Sequence, residues 1–226
     1  MVKSYSDMLL VPFAKYLKKY GRLELSNLGA SLLIPNEEFH FNSILFKPKR
    51  LSYSADKSWE FIASVVVLGR EDFSKENFLL YQRLKGLECT LNTKGFIRKS
   101  FSMKSNELLS HLKQEIPDMH IDAHLCEVIN QDFILKDLLS KISPDSLSIT
   151  LFNQPLNVTD ITEYCIQFRK QYECPSEIIW NINLEKFLGG IISKKKYTKI
   201  IDSTIQALEI ISNHLIRECQ LMEGRL

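Results

Sequence analysis

The stretch FLGGIISKKKYTKIIDSTIQALEII, from Phe187 to Ile211, decides how the C-terminal part of the chain is interpreted. It contains the pair Gly189 and Gly190, then three consecutive lysines, then Asp202 at the start of an apolar repeat. Adjacent glycines favour a tight turn or a close approach of two backbones. An aspartate in front of an apolar repeat is typical of a helix N-cap. The pattern therefore predicts two short strands, GGIIS and TKIID, around the lysine run, and a final helix capped by Asp202.

The predicted final helix has apolar residues at intervals of three or four, which places them on one face. These residues are Ile205, Leu208, Ile211 and Leu215. Upstream, SLSITLF (146–152) and EIIWNINL (177–184) have the composition of strands, and a helix is predicted to begin at Thr159 or Asp160. Residues 146–226 are therefore predicted to form a small α+β domain with the element order β-α-β-β-β-α.

The first two thirds of the chain give a mixed pattern. RLELSNLGASLLI (22–34) predicts a strand pair or a bent strand, and SILFKP (43–48) predicts a short strand ended by its proline. SADKSWEFIASVVVLG (54–69) and KENFLLYQRLKG (75–86) are interpreted as helices capped by serines. LECTLNTKGFIRKSF (87–101) predicts a hairpin, or alternatively a disordered break inside a helical region.

Two or three helices are expected between about residues 105 and 141, ended by the Ser-Pro-Asp step at 143–145. The predicted fold class is therefore α+β, with a mixed helical N-terminal and middle region and the small C-terminal domain. Three regions follow: an N-terminal mixed α/β region (1–104), a helical connector (105–145) and the C-terminal domain (146–226).

The composition is that of an ordinary globular chain of 226 residues, with 45% hydrophobic and 25% charged residues. A net charge of only +2 argues against a protein whose main function is to bind nucleic acid. The five cysteines are scattered and form no Cys-x-x-Cys pair, so reduced thiols in a cytosolic protein are expected. Neither a signal peptide nor a membrane-spanning segment is predicted.

One cluster of metal-ligand types occurs, in MHIDAHLCE (119–127). On a helix, His120 and His124 would share one face, whereas on a strand Asp122 and Cys126 would join them. These side chains are usual ligands of zinc, so a metal-binding enzyme or regulator is one alternative. The other interpretation is an ordinary helix with half-buried polar residues. No metal or other cofactor is predicted.

The lysine run Lys194, Lys195 and Lys196 could contact phosphates, which leaves a nucleic-acid-binding adaptor as a further alternative. Short basic runs of this kind are more often simply solvated. The Gly-Gly pair lacks the spacing of a P-loop, and the common hydrolase and metalloprotease motifs are missing from the sequence. No catalytic residue is predicted, and the chain is not expected to be an enzyme.

The C-terminal third resembles the stator proteins of rotary ATPases. These include the delta subunit of F-type ATP synthases (OSCP in mitochondria) and the related FliH and SctL (HrpE/YscL) proteins of flagellar and type III secretion systems. The resemblance rests on SITLFNQPL (148–156), IIWNINLEKFLGGII (178–192) and KIIDSTIQALEII (199–211). One extra residue precedes the Gly-Gly pair, and the coiled coil expected in SctL and FliH is nearly absent.

The resemblance implies a mechanical role without catalysis. Proteins of this kind bind an ATPase subunit, as dimers or as one stalk partner, and connect it to a membrane-associated complex. The implied location is cytoplasmic, peripheral to the inner membrane through partners and without direct nucleic-acid contact. The implied partner-binding residues are the three lysines and the apolar stripe of the final helix, with Gly189, Gly190 and Asp202 as structural turn residues.

Overall fold

The computed structural model describes residues 16–25, 31–50, 57–68, 88–94, 100–105, 121–151, 178–188 and 194–223. The strands are β1 (Gly21–Leu25), β2 (Ser31–Pro35), β3 (Ser43–Arg50), β4 (Lys57–Leu68), β5 (Glu88–Lys94), β6 (Ser100–Ser105), β7 (Ser146–Leu151) and β8 (Ile178–Leu188). The helices are α1 (Ile121–Gln131), α2 (Phe133–Ile142) and α3 (Lys194–Glu223).

The eight strands in the described ranges belong to one antiparallel sheet, in the order β1-β2-β3-β4-β8-β7-β5-β6. The longest pairing joins β4 to β8 at the centre of the sheet, with one irregularity between Val66 and Leu68. The predicted mixed helical N-terminal and middle region is therefore wrong, because the described residues between 21 and 105 contribute six strands. The sheet takes strands from both sides of residue 146, and the proposed division into three regions stays a prediction.

The segment around Phe61 is a strand, although its sequence was interpreted as a helix. Phe61, Ala63 and Val65 alternate with less buried residues, and all three are packed in the core. Alternation with a period of two and a run of β-branched valines both favour extended backbone. The serine in front of the segment is therefore a weaker signal than the alternation within it.

Several other local predictions are confirmed. β1 and β2 form the antiparallel pair predicted from residues 22–34, and β5 with β6 forms the predicted hairpin. The strands predicted from residues 146 and 177 onward are β7 and β8.

The predicted end of the third strand at Pro48 is wrong, because β3 continues to Arg50. The helix predicted at 75–86 and the helix predicted to begin at Thr159 or Asp160 lie outside the described residues.

The three helices share one hydrophobic core with one face of the sheet. The sheet contributes residues that are directly opposite on neighbouring strands, such as Phe61 with Leu184 and Ala63 with Ile182. Helix α3 contributes a stripe of buried residues, and α1 and α2 pack against α3 and against β6. The middle helices are therefore part of the globular core and do not form a rod.

Helix α3 begins at Lys194, so TKIID is helical and the predicted strand there is wrong. Tyr197, Ile200 and Ile201 continue the helical spacing of the apolar residues that follow, and they pack against the core. This periodicity outweighs the β propensity of the two isoleucines. At about 1.5 Å per residue, the 30 residues of α3 extend roughly 45 Å.

The opposite face of the central strands carries a hydrogen-bonded polar cluster beside apolar residues. Ser64 donates a hydrogen bond to Asn181 Oδ1 at 3.1 Å, and the Asn183 amide donates to Glu60 Oε1 at 2.9 Å. Asn183 Oδ1 is buried and has no hydrogen-bond partner among the described residues. Ile62, opposite Asn183, and Val66, opposite Ile179, lie on this same face, which is therefore mixed in character. None of the helices in the described ranges is both long and apolar enough to cross a bilayer.

Candidate functional site

The corner between α1 and α2 is built around Asp132. Its backbone is extended, and its Oδ1 accepts a hydrogen bond from Leu135 N–H at 2.8 Å, which makes it the N-cap of α2. Its Oδ2 lies 2.9 Å from Nε2 of His214 on α3. Burial alone would raise the pKa of Asp132, but these hydrogen bonds outweigh burial and hold that pKa below its ordinary value. The corner is therefore fixed both to its own helix and to α3.

Two large apolar side chains lie exposed on this corner. Phe133 is 82% exposed and Ile134 is 69% exposed. Leu135, Leu138, Leu139 and Ile142 form the buried face of the same helix. The Lys136 ammonium lies 5.7 Å from the Phe133 ring centroid, within the range of a weak cation–π contact. The corner thus presents a rigid apolar pair beside a cation, and we call Phe133 and Ile134 the exposed corner.

A groove lies beside the C-terminal end of α1, where that helix faces the edge strand β6. Its volume is about 530 Å3, and it is lined by Met103, Lys104, Ser105, Cys126, Glu127, Asn130 and Gln131. Met103 and Cys126 are buried, whereas Lys104, Glu127 and Gln131 form an exposed rim. The exposed corner follows Gln131 in the chain after only one residue, Asp132. The groove and the corner therefore adjoin the same end of α1.

The apolar stripe predicted to bind a partner is the packing face of α3. Ile205, Leu208, Ile211 and Leu215 are all buried, none more than 1% exposed. Thr204 and Ser212 lie on the same buried side, and their hydroxyls donate to backbone carbonyls four residues earlier. The surface that α3 leaves exposed at its start is basic and includes Lys195 and Lys196. Gly189 and Gly190 lie outside the described residues.

Asp202 lies within α3 and is not its N-cap, because the helix begins eight residues earlier. Its carboxylate instead accepts hydrogen bonds from the hydroxyls of Tyr16 and Tyr20 and from Lys19 Nζ, the last at 2.8 Å. The same ammonium lies 4.0 Å from the Tyr16 ring centroid and 4.6 Å from that of Tyr20. Asp202 therefore ties α3 to the segment that precedes β1.

The titratable groups in this cluster shift one another's pKa values. Burial would raise the pKa of Asp202, but the donors from Lys19, Tyr16 and Tyr20 outweigh it and lower that pKa. Burial would lower the pKa of Lys19, yet its hydrogen bonds to Asp202 and the two tyrosines raise that pKa overall. Burial and then Asp202 raise the pKa of Tyr20. The cluster is therefore a fixed ion pair at neutral pH, with no group close to titration.

Two further contacts secure α3 along its length. The His40 backbone N–H donates to Glu209 Oε2 at 2.9 Å, and its ring also contacts that carboxylate. Near the end of the helix, His124 Nδ1 lies 2.5 Å from Glu218 Oε2. These contacts show that α3 first meets the N-terminal segments and then the pair α1 and α2.

The residues proposed as a metal site do not converge within the described part of the chain. His124 is exposed and paired with Glu218, whereas Cys126 is buried on another side of α1. Two positions on a helix that are two residues apart point in nearly opposite directions. His120 lies outside the described residues, and only the backbone of Asp122 is described. Among the residues described, no three His, Cys, Asp or Glu side chains form a metal-binding group.

Comparison with protein-family models, with curated proteins and with solved structures finds no match for this chain. The resemblance to stator proteins therefore stays a prediction. Of the elements that it implies, β7, β8 and the final helix are present, but TKIID is helical instead of forming part of a hairpin.

The sequence interpretation missed the exposed corner. A helical projection of FILKDLLSKI would have found it, because Phe133 lies opposite the stripe that runs from Leu135 to Ile142. Ile134 lies at the margin of that stripe. An apolar residue on the polar side of an amphipathic helix is the signal that was available.

Proposed function

We propose that the protein is a non-catalytic binding module that docks a partner protein through its exposed corner. The observation that supports this proposal is the adjacency of Phe133 and Ile134, both mostly exposed, on a helix start that is held in place. Fully burying a side chain of this size contributes about 1.5–3 kcal/mol. Exposed aromatic anchors on a rigid support are the kind of residue that dominates protein interfaces.

The rigidity of the corner strengthens the proposal. Asp132 binds both Leu135 N–H and the His214 ring, so the backbone that carries Phe133 is ordered before any partner arrives. A preorganised anchor loses less conformational entropy on binding than a mobile one. The exposed corner is therefore suited to serve as an anchor.

The specific partner that we propose is the ATPase subunit of a membrane-associated, secretion-type complex, for which this chain would act as a peripheral-stalk component. This part of the proposal is supported by the sequence resemblance in residues 146–216. The exposed lysines at the start of α3, Lys195, Lys196 and Lys199, would steer an acidic partner surface toward the protein. The location would be cytoplasmic, at the membrane only through partners.

The test is affinity capture of the tagged full-length chain from its own cells. The test variant is Phe133→Ser with Ile134→Ser, and the matched control is Asp137→Ser with Lys141→Ser, which changes two exposed residues on the same helix. We expect a rotary-type ATPase to co-purify with the native chain and with the control but not with the test variant. Point variants are used because removal of α3 would also remove much of the core.

Two results would refute the proposal. One is capture without any ATPase, and the other is an ATPase that co-purifies equally with the test variant. All four positions lie outside the core, so both variants are expected to fold. Circular dichroism checks this. The purified chain alone is expected to show no ATP hydrolysis above buffer.

A further inference from the structure

Within the described residues, the outer edge of the sheet at β6 is covered by a side chain instead of by a strand. β6 pairs with β5 on one side, and within the described ranges no strand pairs with its other side. An uncovered strand edge presents backbone N–H and C=O groups that can pair with another chain. Edge strands are consequently either protected or used for binding.

Asn130 of α1 occupies this edge. Met103 N–H donates to Asn130 Oδ1 at 2.7 Å, and Asn130 Nδ2 donates to Met103 C=O at 2.9 Å. A primary amide and a peptide group offer the same donor and acceptor. In an antiparallel ladder, a residue of the neighbouring strand makes this same pair of hydrogen bonds. The Asn130 side chain thus stands where the backbone of a ninth strand would be.

The surroundings of this amide have the form of a strand-binding groove. The groove of about 530 Å3 has Met103 and Cys126 as a buried apolar floor and Lys104, Glu127 and Gln131 at its rim. Lys104 follows Met103 in β6, so its side chain faces away from the side on which α1 and Glu127 lie. The six residues of β6 extend roughly 20 Å at the usual rise of a strand, which is enough to pair with a short extended segment. Cross-strand pairs of opposite charge are favourable, so an acidic residue suits the position opposite Lys104.

We propose that β6 is an acceptor for an extended acidic segment of a partner protein, and that the Asn130 amide holds its place until the segment binds. This inference rests on the proposed function, since it adds a second contact to the same binding module. The incoming backbone replaces the two hydrogen bonds of Asn130 with its own, and its acidic side chain pairs with Lys104. The mode of binding is strand addition to a sheet edge.

The experiment observes the Met103 amide directly. The full chain contains five methionines, so selective 15N-methionine labelling gives a spectrum with few peaks. The probe is the blocked peptide acetyl-Thr-Val-Glu-Val-Thr-amide, which is extended, short and acidic. Its control is the same peptide with N-methylated valines, which lack the N–H groups that would face β6 when the glutamate lies opposite Lys104. We expect the Met103 peak to shift with the probe and not with the control peptide.

Variants of Asn130 test whether its amide competes with the probe. Asn130→Ala removes both competing hydrogen bonds, and the apparent Kd of the probe is expected to fall about three- to tenfold. This range corresponds to about 0.7–1.4 kcal/mol, the size of one net hydrogen bond. Asn130→Asp keeps an acceptor for Met103 N–H but adds a negative charge, so the acidic probe is expected to bind more weakly than to the native chain. If the alanine variant is unfolded, the titrations of the native chain and the aspartate variant still show whether the probe binds beside Asn130.

Three outcomes would overturn the inference. They are a Met103 peak that does not move, a peak that moves equally with the N-methylated peptide, and a peak that moves with protein concentration alone. The last would show that a second copy of this chain occupies β6. If capture of the ATPase fails while the Met103 shift is present, only the proposed function fails. If the ATPase is captured without that shift, only the strand acceptor fails.

Discussion

The two ends of α3 are secured by different kinds of contact. Toward its end, Ile211, Leu215 and Cys219 are fully buried against the sheet and the two shorter helices. Toward its start, Asp202 binds two tyrosine hydroxyls and a lysine, while Lys195 and Lys196 are exposed. Burial is strong and insensitive to geometry, whereas the polar contacts are directional and depend on pH. Charged contacts are also present toward the end, in the pairs His124–Glu218 and His214–Asp132, but the start combines a charged cluster with an exposed basic surface.

The largest expected effect comes from the buried end. Leu215→Ala should lower the free energy of unfolding by about 3 kcal/mol, because it removes buried methyl groups and leaves a cavity. Urea unfolding followed by circular dichroism measures this change. The matched control is Gln206→Ala, at an exposed position of the same helix, which should change stability by less than about 0.5 kcal/mol. A loss below about 1 kcal/mol for Leu215→Ala would show that this end is not held by burial.

A smaller loss is expected at the start of the helix. Asp202→Asn keeps the shape of the side chain but removes the charge, and should cost about 1–2 kcal/mol because three donors lose a charged acceptor. The exposed pair Asp137 and Lys141 provides the control, since Asp137→Asn should cost less than about 0.5 kcal/mol. A double-mutant cycle with Lys19→Met should be non-additive. Additive losses would indicate that Lys19 and Asp202 act independently.

Asp202 and the N-cap Asp132 should both make the stability of the protein depend on pH in the acid range. The pKa values of Asp202 and Asp132 are both lowered in the folded protein, so the unfolded chain binds protons first as the pH falls. Their contribution is fully present above the unfolded pKa of about 3.9 and is lost as the pH falls through the lower folded values. Unfolding free energies measured from about pH 5 to pH 2 should decrease toward acid. An Asp202→Asn variant that keeps the native slope would contradict this origin.

The smallest effect is expected at the exposed lysines. Three lysines begin α3 without an acidic residue in its first turn, which opposes the helix dipole. Lys195→Glu with Lys196→Glu should therefore raise the free energy of unfolding by about 0.3–1 kcal/mol. If these lysines steer an acidic ATPase surface, the same variant should reduce its capture. A more stable variant with undiminished capture would show that the lysines are only solvated.

The local periodicity in the sequence was sufficient to predict part of this fold. The apolar stripe of α3 from Ile205 to Leu215 and the strand pairs β1–β2 and β5–β6 were all predicted from neighbouring residues. The start of α3 was not, because Ile200 and Ile201 also suit a strand. What favours the helix there includes contacts with Tyr16 and Tyr20, which lie far away in the sequence.

The candidate site shows the same limit. The sequence pointed to lysines and to an apolar stripe, whereas the structure buries the stripe and exposes Phe133 and Ile134 instead. Whether an apolar side chain is exposed depends on which neighbours cover it, and α1, α2 and α3 meet only after folding. The role of the Asn130 amide likewise could not be predicted from the sequence, because it depends on Met103 lying beside it in the folded protein.

The central pairing of β4 with β8 has a consequence for how the chain is made. The two strands that form it are separated by about 110 residues, and non-local pairings of this kind form slowly. During synthesis, β4 would leave the ribosome with β1, β2 and β3 on one side and nothing on the other. Its free edge would stay open for several seconds at the usual pace of translation. Nascent chains that stop before residue 178 should therefore bind chaperones, and chains that include β8 and α3 should be released.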